Sequence, residues 1–266
     1  MIRFIATLAA ALIALPAFAG TVFDVEHRNA AGAVDHTSQI KVDGGKLAME
    51  MMSAGEEAPE GRMIFRGDRA PQEMIVMNDQ ERSYMVFTAE GMGSMQSQMN
   101  SVMEQALANL PPEQRAAAEA AMSGQGMGAM MGQAPASDWR FRATGKSRDV
   151  DGRQTTGYEL LKDGVRQMVF WTVPASGFNG GGDLGRTFDS LNDFFEALPM
   201  IGDAAGPMYD LDAMDGRVPV QIEEIGADGA VEATTTISEG RSMDIAASVF
   251  EPDPGYTRQD MPSMAQ

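Results

Sequence analysis

Short stretches in which hydrophobic and polar residues alternate make up much of this chain. In Thr21–Arg28, Phe23 and Val25 share one face while charged side chains occupy the other, which is the pattern of a half-buried strand. Similar stretches follow as far as Phe87, separated by turn-forming residues such as Asp43–Gly45. About six such strands, joined by short turns, predict a meander of antiparallel hairpins.

A second block of alternating sequence begins at Trp139. Within it, Gln167–Val173 is a nearly continuous apolar run, which predicts a strand buried on both faces. An amphipathic helix is expected next, with Asp183 placed to cap its first turn. Its apolar positions are Leu184, Phe188, Leu191, Phe195 and Leu198. A last hairpin, which turns at residues 226–229, completes the block.

The stretch between the two blocks is rich in methionine and has a helical period. Its apolar residues recur every three or four positions, which places them in one stripe along a helix. The stripe consists of Met92, Met95, Met99, Met103, Ala106 and Leu110. Pro111 and Pro112 end this helix and suit the first turn of a second one over residues 113–122. We therefore predict a methionine-rich helical hairpin as an insert at residues 89–137.

Together these elements predict an α+β fold. An open sheet of this size must cover its apolar inner face, so we expect the helices to lie there. The predicted architecture is a single curved antiparallel sheet, a half-barrel of about 11 strands, with helices packed in its concave face. We assign residues 20–257 to one domain and residues 258–266 to a flexible tail.

The N-terminal residues 1–19 have the features of a signal peptide. Arg3 precedes an apolar run, Phe4–Leu15, and small residues follow at Ala17 and Ala19, as cleavage requires. The run is shorter than the roughly 20 residues that a membrane-spanning helix needs. We expect cleavage near Ala19, a periplasmic or secreted protein, and no stable membrane anchor after cleavage.

Composition narrows the class of partner. The chain has 20 Lys and Arg against 38 Asp and Glu, a net charge of −18, and no cysteine. Nucleic acid is not an expected partner, because its phosphates require a basic face. A chain without cysteine has no disulfide framework, no thiolate metal site and no cysteine for lipid attachment. An apolar ligand or another envelope protein remains as the expected partner.

Several short motifs resemble those of a known family. They are PPEQR at Pro111–Arg115, GYELLKDG and QMVFWTVP within Gly157–Pro174, RVPVQIEE at Arg217–Glu224, and ASVFEPDPGY at Ala247–Tyr256. On these motifs, and on the order of elements over residues 21–257, the chain resembles a family of Gram-negative periplasmic proteins with a domain of unknown function. That family is similar to the lipoprotein-carrier (LolA-like) superfamily. The resemblance implies a half-barrel closed by helices and, by analogy with the carriers, an apolar cavity. The insert is larger than the plug helices of the carriers.

We therefore predict a binding protein that holds an acyl chain, a lipid or an apolar peptide between the half-barrel and the methionine-rich helices. The predicted ligand-binding residues are Phe23, Val25, Ile40, Met49, Met92, Met95, Met99, Met103, Phe141, Tyr158 and Phe170. An alternative is an interaction protein that is not a carrier and docks a partner through the insert. Its segment Gly124–Gly132 is too glycine-rich for a stable helix, which favours ordering on contact.

The chain has 23 methionines, and their thioethers allow a further alternative. Thioethers are soft ligands that suit Cu(I), and Met92, Met95 and Met99 have the spacing to converge. The same stripe suits core packing, the lining of a cavity, an exposed partner-binding face or sacrificial oxidation. We favour packing or cavity lining over a Cu(I)-binding protein, and predict no metal site and no cofactor.

No group of residues has the spacing of a known catalytic site. His27 and His36 lack a paired carboxylate or nucleophile at a recognisable spacing, so we interpret them as half-buried or surface residues. The acidic residues Asp203, Asp210, Asp212 and Asp215 lack the order of a calcium loop. We therefore predict no catalytic residue and a protein that is not an enzyme.

Overall fold

The computed structural model describes residues 20–53, 61–111, 114, 137–198 and 210–260. Within these ranges the chain forms one sheet of thirteen strands and two α-helices. The strands are β1 (Gly20–Asn29), β2 (Val34–Asp43), β3 (Lys46–Ser53), β4 (Gly61–Arg66), β5 (Glu73–Asn78), β6 (Ser83–Phe87), β7 (Trp139–Val150), β8 (Arg153–Lys162), β9 (Val165–Pro174), β10 (Arg217–Ile225), β11 (Val231–Ile237), β12 (Arg241–Met243) and β13 (Thr257–Gln259). The helices are α1 (Ala89–Ala108) and α2 (Gly181–Glu196).

The sheet is open, in the order β13-β6-β5-β4-β3-β2-β1-β11-β10-β9-β8-β7, and β12 pairs with the start of β1. Its described strands pair in antiparallel fashion, apart from β13, which runs parallel to β6. The predicted α+β half-barrel is confirmed. The sequence analysis missed the two three-residue strands, and β13 extends into the segment that it assigned to the tail.

The first strand lies in the middle of the sheet. β1 pairs with β2 on one side and with β11 on the other, where Val25 lies opposite Ile237. Strands β1–β6 form one meander, and β7–β11 continue the sheet from the other side of β1. The predicted doubly buried strand is β9, in which Val169–Val173 are buried.

The main hydrophobic core lies on one face of the sheet, and α2 covers part of it by contacting β2 and β10. Leu184 and Phe194 of α2 are almost fully buried, and the Phe194 ring packs edge-on against Phe65 with 5.6 Å between ring centroids. The predicted amphipathic helix is confirmed. The stripe predicted Phe195 as a core residue, but Phe194 is the buried one of the two and Phe195 is only half-buried.

The predicted cap of α2 is wrong. The helix begins earlier, with Gly180 as the N-cap at a φ of 76°, and no side chain caps it. Glycine is required there, because a Cβ would lie 2.4 Å from the Thr21 side chain and because positive φ disfavours other residues. Asp183 therefore falls in the first turn, where its carboxylate accepts a hydrogen bond of 3.2 Å from the Thr21 hydroxyl.

A second, smaller core lies on the opposite face. It is made by Ala48, Ile64, Ile75 and Met77 from β3–β5 together with Phe250. Phe250 belongs to residues 245–256, which we call the C-terminal strap and which cross this face. Strands β3–β5 thus carry buried or half-buried apolar side chains on both faces.

Helix α1 follows β6, and the hydroxyl of Thr88 caps it by accepting a hydrogen bond of 3.0 Å from the Gly91 N–H. Met92 is buried in the main core and Met95 is half-buried against it. The helix ends at Ala108, two residues before the predicted end of the stripe. The predicted second helix, apart from Gln114, and the predicted signal peptide lie outside the described residues. Neither described helix combines the length and the apolar character needed to cross a lipid bilayer.

Candidate functional site

The concave face of the sheet, which carries the main core, is the candidate site. Residues directly opposite each other on neighbouring strands point to the same side of a sheet. Phe23 lies opposite Ile40, Ile40 opposite Met49, and Met49 opposite Met63. These four side chains therefore form one apolar row across β1–β4.

A matching row crosses the other half of the sheet. Tyr158 of β8 lies opposite Phe170 of β9, and Phe170 lies opposite Ile222 of β10. Phe141 of β7 joins this row, because its ring packs edge-on against Phe170 with 5.3 Å between ring centroids. The two rows face the same concave side and belong to one hydrophobic cluster.

The structure brings together the predicted ligand-binding residues whose side chains it describes. Phe23, Val25, Ile40, Met92, Tyr158 and Phe170 are buried members of the main core. Met49, Met95 and Phe141 are half-buried and pack against it. The side chains of Met99 and Met103 lie outside the described residues, so the Cu(I) hypothesis stays a prediction. That any of these residues contacts a ligand also stays a prediction.

An apolar strip on the concave face extends beyond the predicted residues. It consists of Met49 and Met51 on β3, Met63 on β4 and Val76 on β5, and we call it the methionine strip. Met63 lies opposite both Met49 and Val76. Met51 is 41% exposed and Val76 is 38% exposed, so this part of the face is open. The sequence analysis missed Met51, Met63 and Val76 as site residues, although register from the β4–β5 turn would have paired Met63 with Val76.

A polar contact lies at the other side of the concave face. The Tyr158 hydroxyl donates a hydrogen bond of 2.6 Å to the Asp215 carboxylate. Burial, followed by the hydrogen bond to Asp215 and the negative charge of that residue, raises the pKa of Tyr158 above its ordinary value. The contact fixes the segment before β10 against β8, and it keeps the hydroxyl as a hydrogen-bond donor.

The acidic residues of the predicted loop separate in the structure. Asp215 binds Tyr158, whereas Asp210 and Asp212 lie near the acidic side of α2. Burial and the nearby carboxylates of Asp212, Asp193 and Asp210 raise the pKa of Asp189. Asp203 lies outside the described residues. The carboxylates of Asp212, Asp193 and Asp210 therefore repel that of Asp189.

The two histidines form a pair that the sequence analysis did not foresee. His27 lies opposite His36, and their rings stack with 4.3 Å between centroids and 17° between planes. Both are half-buried, as expected. Asp35 lies beside them, so a carboxylate does accompany the histidines. His27 and His36 lie four and five residues from Ala31, the centre of the turn between β1 and β2, so their pairing depends on one extra residue in β2.

A cleft of about 470 Å³ on the convex side offers a contrasting surface. Its lining includes the polar residues Asp24, Glu26, Gln39 and Glu50 together with Met52. Asp24 lies next to Phe23 in β1 and so points to the face opposite the main core. A hydrogen bond from Arg241 holds the pKa of Asp24 below its ordinary value.

No family model and no curated protein matches the chain. Among solved structures, it is similar to an uncharacterized conserved protein from Thermus thermophilus, with 6% identity, a TM-score of 0.43 and 91% of each chain covered. It is also similar to a putative outer membrane lipoprotein-sorting protein domain from Vibrio parahaemolyticus, with 8% identity, a TM-score of 0.31, and 89% of this chain and 91% of that chain covered.

A third similar structure is a DUF1329 family protein from Desulfovibrio piger, with 10% identity and a TM-score of 0.29. The alignment covers 87% of this chain and 88% of that one. The structural neighbours thus include a putative lipoprotein-sorting domain and a DUF1329 family protein.

Proposed function

We propose that this chain is a periplasmic binding protein, without catalytic activity, that holds an apolar ligand between the concave face of its sheet and helix α1. The ligand class is an acyl chain, a lipid or an apolar peptide. The observation that carries the proposal is the methionine strip, an open apolar surface continuous with the buried main core.

The strip suits a ligand of irregular shape. Methionine side chains are flexible and polarisable, so they adapt to different apolar partners. Burying one such side chain fully contributes roughly 1.5–3 kcal/mol, and Met51 and Val76 retain much of their surface in the unliganded protein. A bound chain that covers both would recover that contribution.

Helix α1 supplies the other side of the proposed site. Met92 anchors its first turns in the main core, and Met95 lies half-buried one turn later. Farther along, Val102 is 48% exposed, so the helix is packed at its start and free on part of its surface later. A ligand that inserts beside Met95 would contact both α1 and the sheet.

The polar groups of the face support binding rather than catalysis. The Tyr158 hydroxyl already donates to Asp215, and the raised pKa of Tyr158 keeps it protonated at neutral pH. Export, supported by the features of residues 1–19, would place the protein among envelope lipids. The net charge of −18 disfavours adsorption to anionic membranes, as suits a carrier that leaves the membrane with its ligand.

Titration with a fluorescent fatty acid, together with native mass spectrometry of the protein as purified, tests the proposal. Changing Met49 and Met63 to Gln keeps the side-chain length and adds polar groups to the strip. We expect the double variant to bind the probe at least tenfold more weakly. Met243→Gln, at a methionine of β12 that is 46% exposed, is the matched control and should bind as the wild type does.

Val76→Thr gives a second, nearly isosteric variant if the double variant folds poorly, as judged by circular dichroism. Wild-type protein that is empty as purified and takes up no probe would overturn the proposal. Equal affinity for wild type, Val76→Thr and the double variant would also contradict it. The alternative of an interaction protein that docks through the insert would then be preferred; its segment 124–132 lies outside the described residues.

A further inference from the structure

His27, His36 and Asp35 converge at one end of the β1–β2 hairpin. One ligand-type atom from each of the three side chains lies within 4.8 Å of the other two. The Nδ1 atom of His36 is 3.8 Å from the Asp35 carboxylate. The two histidines are half-buried and Asp35 is exposed, so the group is accessible from solvent.

The local fold explains why three residues separated in sequence meet here. His27 pairs with His36, but the next pair is Arg28 with Val34, so Asp35 is an extra residue in β2. An extra residue of this kind is a β-bulge, which bends the strand and re-aims side chains. The bulge places Asp35 next to the stacked imidazoles, although strict alternation would send it to the opposite face.

We propose that these residues form a binding site for Zn²⁺, with two imidazole nitrogens and one carboxylate oxygen as ligands. Zinc accepts this mixture of nitrogen and oxygen ligands, and three protein ligands leave its fourth position open to water or to an anionic group. The thioethers of the methionine-rich helix are softer and suit Cu(I). The proposed zinc site is thus chemically distinct from the Cu(I) site considered for Met92, Met95 and Met99.

A hydrogen bond to one of the histidines supports the assignment. The Nδ1 atom of His27 is 3.0 Å from the Thr235 hydroxyl oxygen on β11. When Nδ1 carries its proton and donates to Thr235, Nε2 is left as the free ligand nitrogen. Metal-binding histidines commonly use their second ring nitrogen in this way, which fixes the tautomer and the ring orientation.

The present spacing is close to that of a zinc site, and small side-chain rotations complete it. Zinc–ligand distances near 2.0–2.2 Å correspond to about 3.3 Å between tetrahedral ligands. The required contraction is therefore of the order of 1 Å, and the partial exposure of all three side chains leaves room for it. The imidazole planes must tilt away from their stacked arrangement for both lone pairs to point at one ion.

Zinc affinity measured by competition with a chromogenic chelator tests the site, using protein without a polyhistidine tag. We expect one Zn²⁺ per chain with micromolar or tighter affinity. Asp35→Asn, which keeps the shape and removes the charge, should weaken binding at least tenfold, and His36→Gln should do the same. The matched control is Asp244→Asn, which removes the same charge at another exposed position and should leave affinity unchanged.

Proton NMR of the imidazole rings gives a second measurement that does not depend on the variants. The chain has only two histidines, so the signals of both rings should move or broaden together as zinc is added. Absence of zinc binding by the wild type overturns the proposal. So does binding that Asp35→Asn and His36→Gln leave intact, or binding that does not affect both ring signals, because the ion then lies elsewhere.

Discussion

Arg66 and Glu251 form an ion pair that joins β4 to the C-terminal strap across the convex face. The same guanidinium donates to Asp68 at 2.7 Å and to the Phe250 carbonyl oxygen at 3.2 Å. Arg66 is only 9% exposed. One nearly buried cation therefore holds together a strand, the following turn and a segment 185 residues away.

Arg66→Met should lower the free energy of unfolding by about 1–3 kcal/mol, because it leaves partly buried carboxylate and carbonyl groups without their donor. The effect is below that of a fully buried pair, since Glu251 retains solvent contact. Urea denaturation followed by fluorescence measures it. Arg186→Met is the control: Arg186 also pairs with a carboxylate, but its side chain is 72% exposed, so the change should be about 0.5 kcal/mol or less. Equal effects would contradict the proposed role of Arg66.

The apolar contact of the strap predicts a larger effect. Phe250 is 1% exposed and packs with Ala48, Ile64 and Ile75. Phe250→Ala should destabilise the protein by about 3–5 kcal/mol, because it removes a buried ring and leaves a cavity. Val102→Ala, at an exposed position of α1, should change stability by less than about 0.5 kcal/mol. A small loss for Phe250→Ala in the same denaturation experiment would mean that the strap is only loosely held.

The acid limb of the stability curve should depend on Asp68. The hydrogen bond from Arg66 holds the pKa of Asp68 below its ordinary value despite partial burial. Such a group stabilises the fold above its unfolded-state pKa, near 3.9, and this contribution is lost as pH falls through the lower folded-state pKa. Asp68→Asn should therefore be less stable than wild type at pH 7, and the difference should shrink below about pH 4.

Denaturation midpoints between pH 2 and 7 measure this dependence. Asp244→Asn makes the same change in net charge and should follow the wild-type curve. A difference between wild type and Asp68→Asn that stays constant to the lowest pH would show that packing, rather than ionisation, is responsible.

Tyr158→Phe should separate stability from ligand binding. The change keeps the ring on the concave face and removes the 2.6 Å hydrogen bond to Asp215. We expect a loss of about 1.5–3 kcal/mol in the free energy of unfolding, as for one hydrogen bond to a charged group. Fatty-acid affinity should change by less than threefold, because the proposed site uses the apolar ring. A tenfold loss of affinity in a stably folded variant would instead show that the hydroxyl or Asp215 contacts the ligand.

Elements with a strong local pattern were predictable. The hairpin at Gly44-Gly45 needs positive φ at both residues, and both have it; the period of α2 likewise predicted its buried face. The strap was missed because residues 245–256 have neither a strand nor a helix period, and only contact with the sheet gives Phe250 its place. The apolar runs Met63–Phe65 and Met74–Met77 were the available signal, since they leave apolar side chains on both faces.

The candidate sites were predictable to different degrees. Alternation within single strands placed Phe23, Ile40 and Met49 on the concave face. The histidine pair depends on register between strands, and Asp35 joins it only through a bulge, which strict alternation does not anticipate. Strand patterns define faces, whereas turns and bulges decide which residues of a face become neighbours.

The position of β1 has a consequence for how the chain folds. The N–H of Asp24 bonds the hydroxyl of Ser238, 214 residues away, so one side of β1 stays unpaired until nearly the whole chain has been made. Contacts of such long range slow folding, and an unpaired strand edge promotes association with other chains. A product truncated before β11 would keep β1 as a bare edge, and we expect it to self-associate rather than persist as a stable half-sheet.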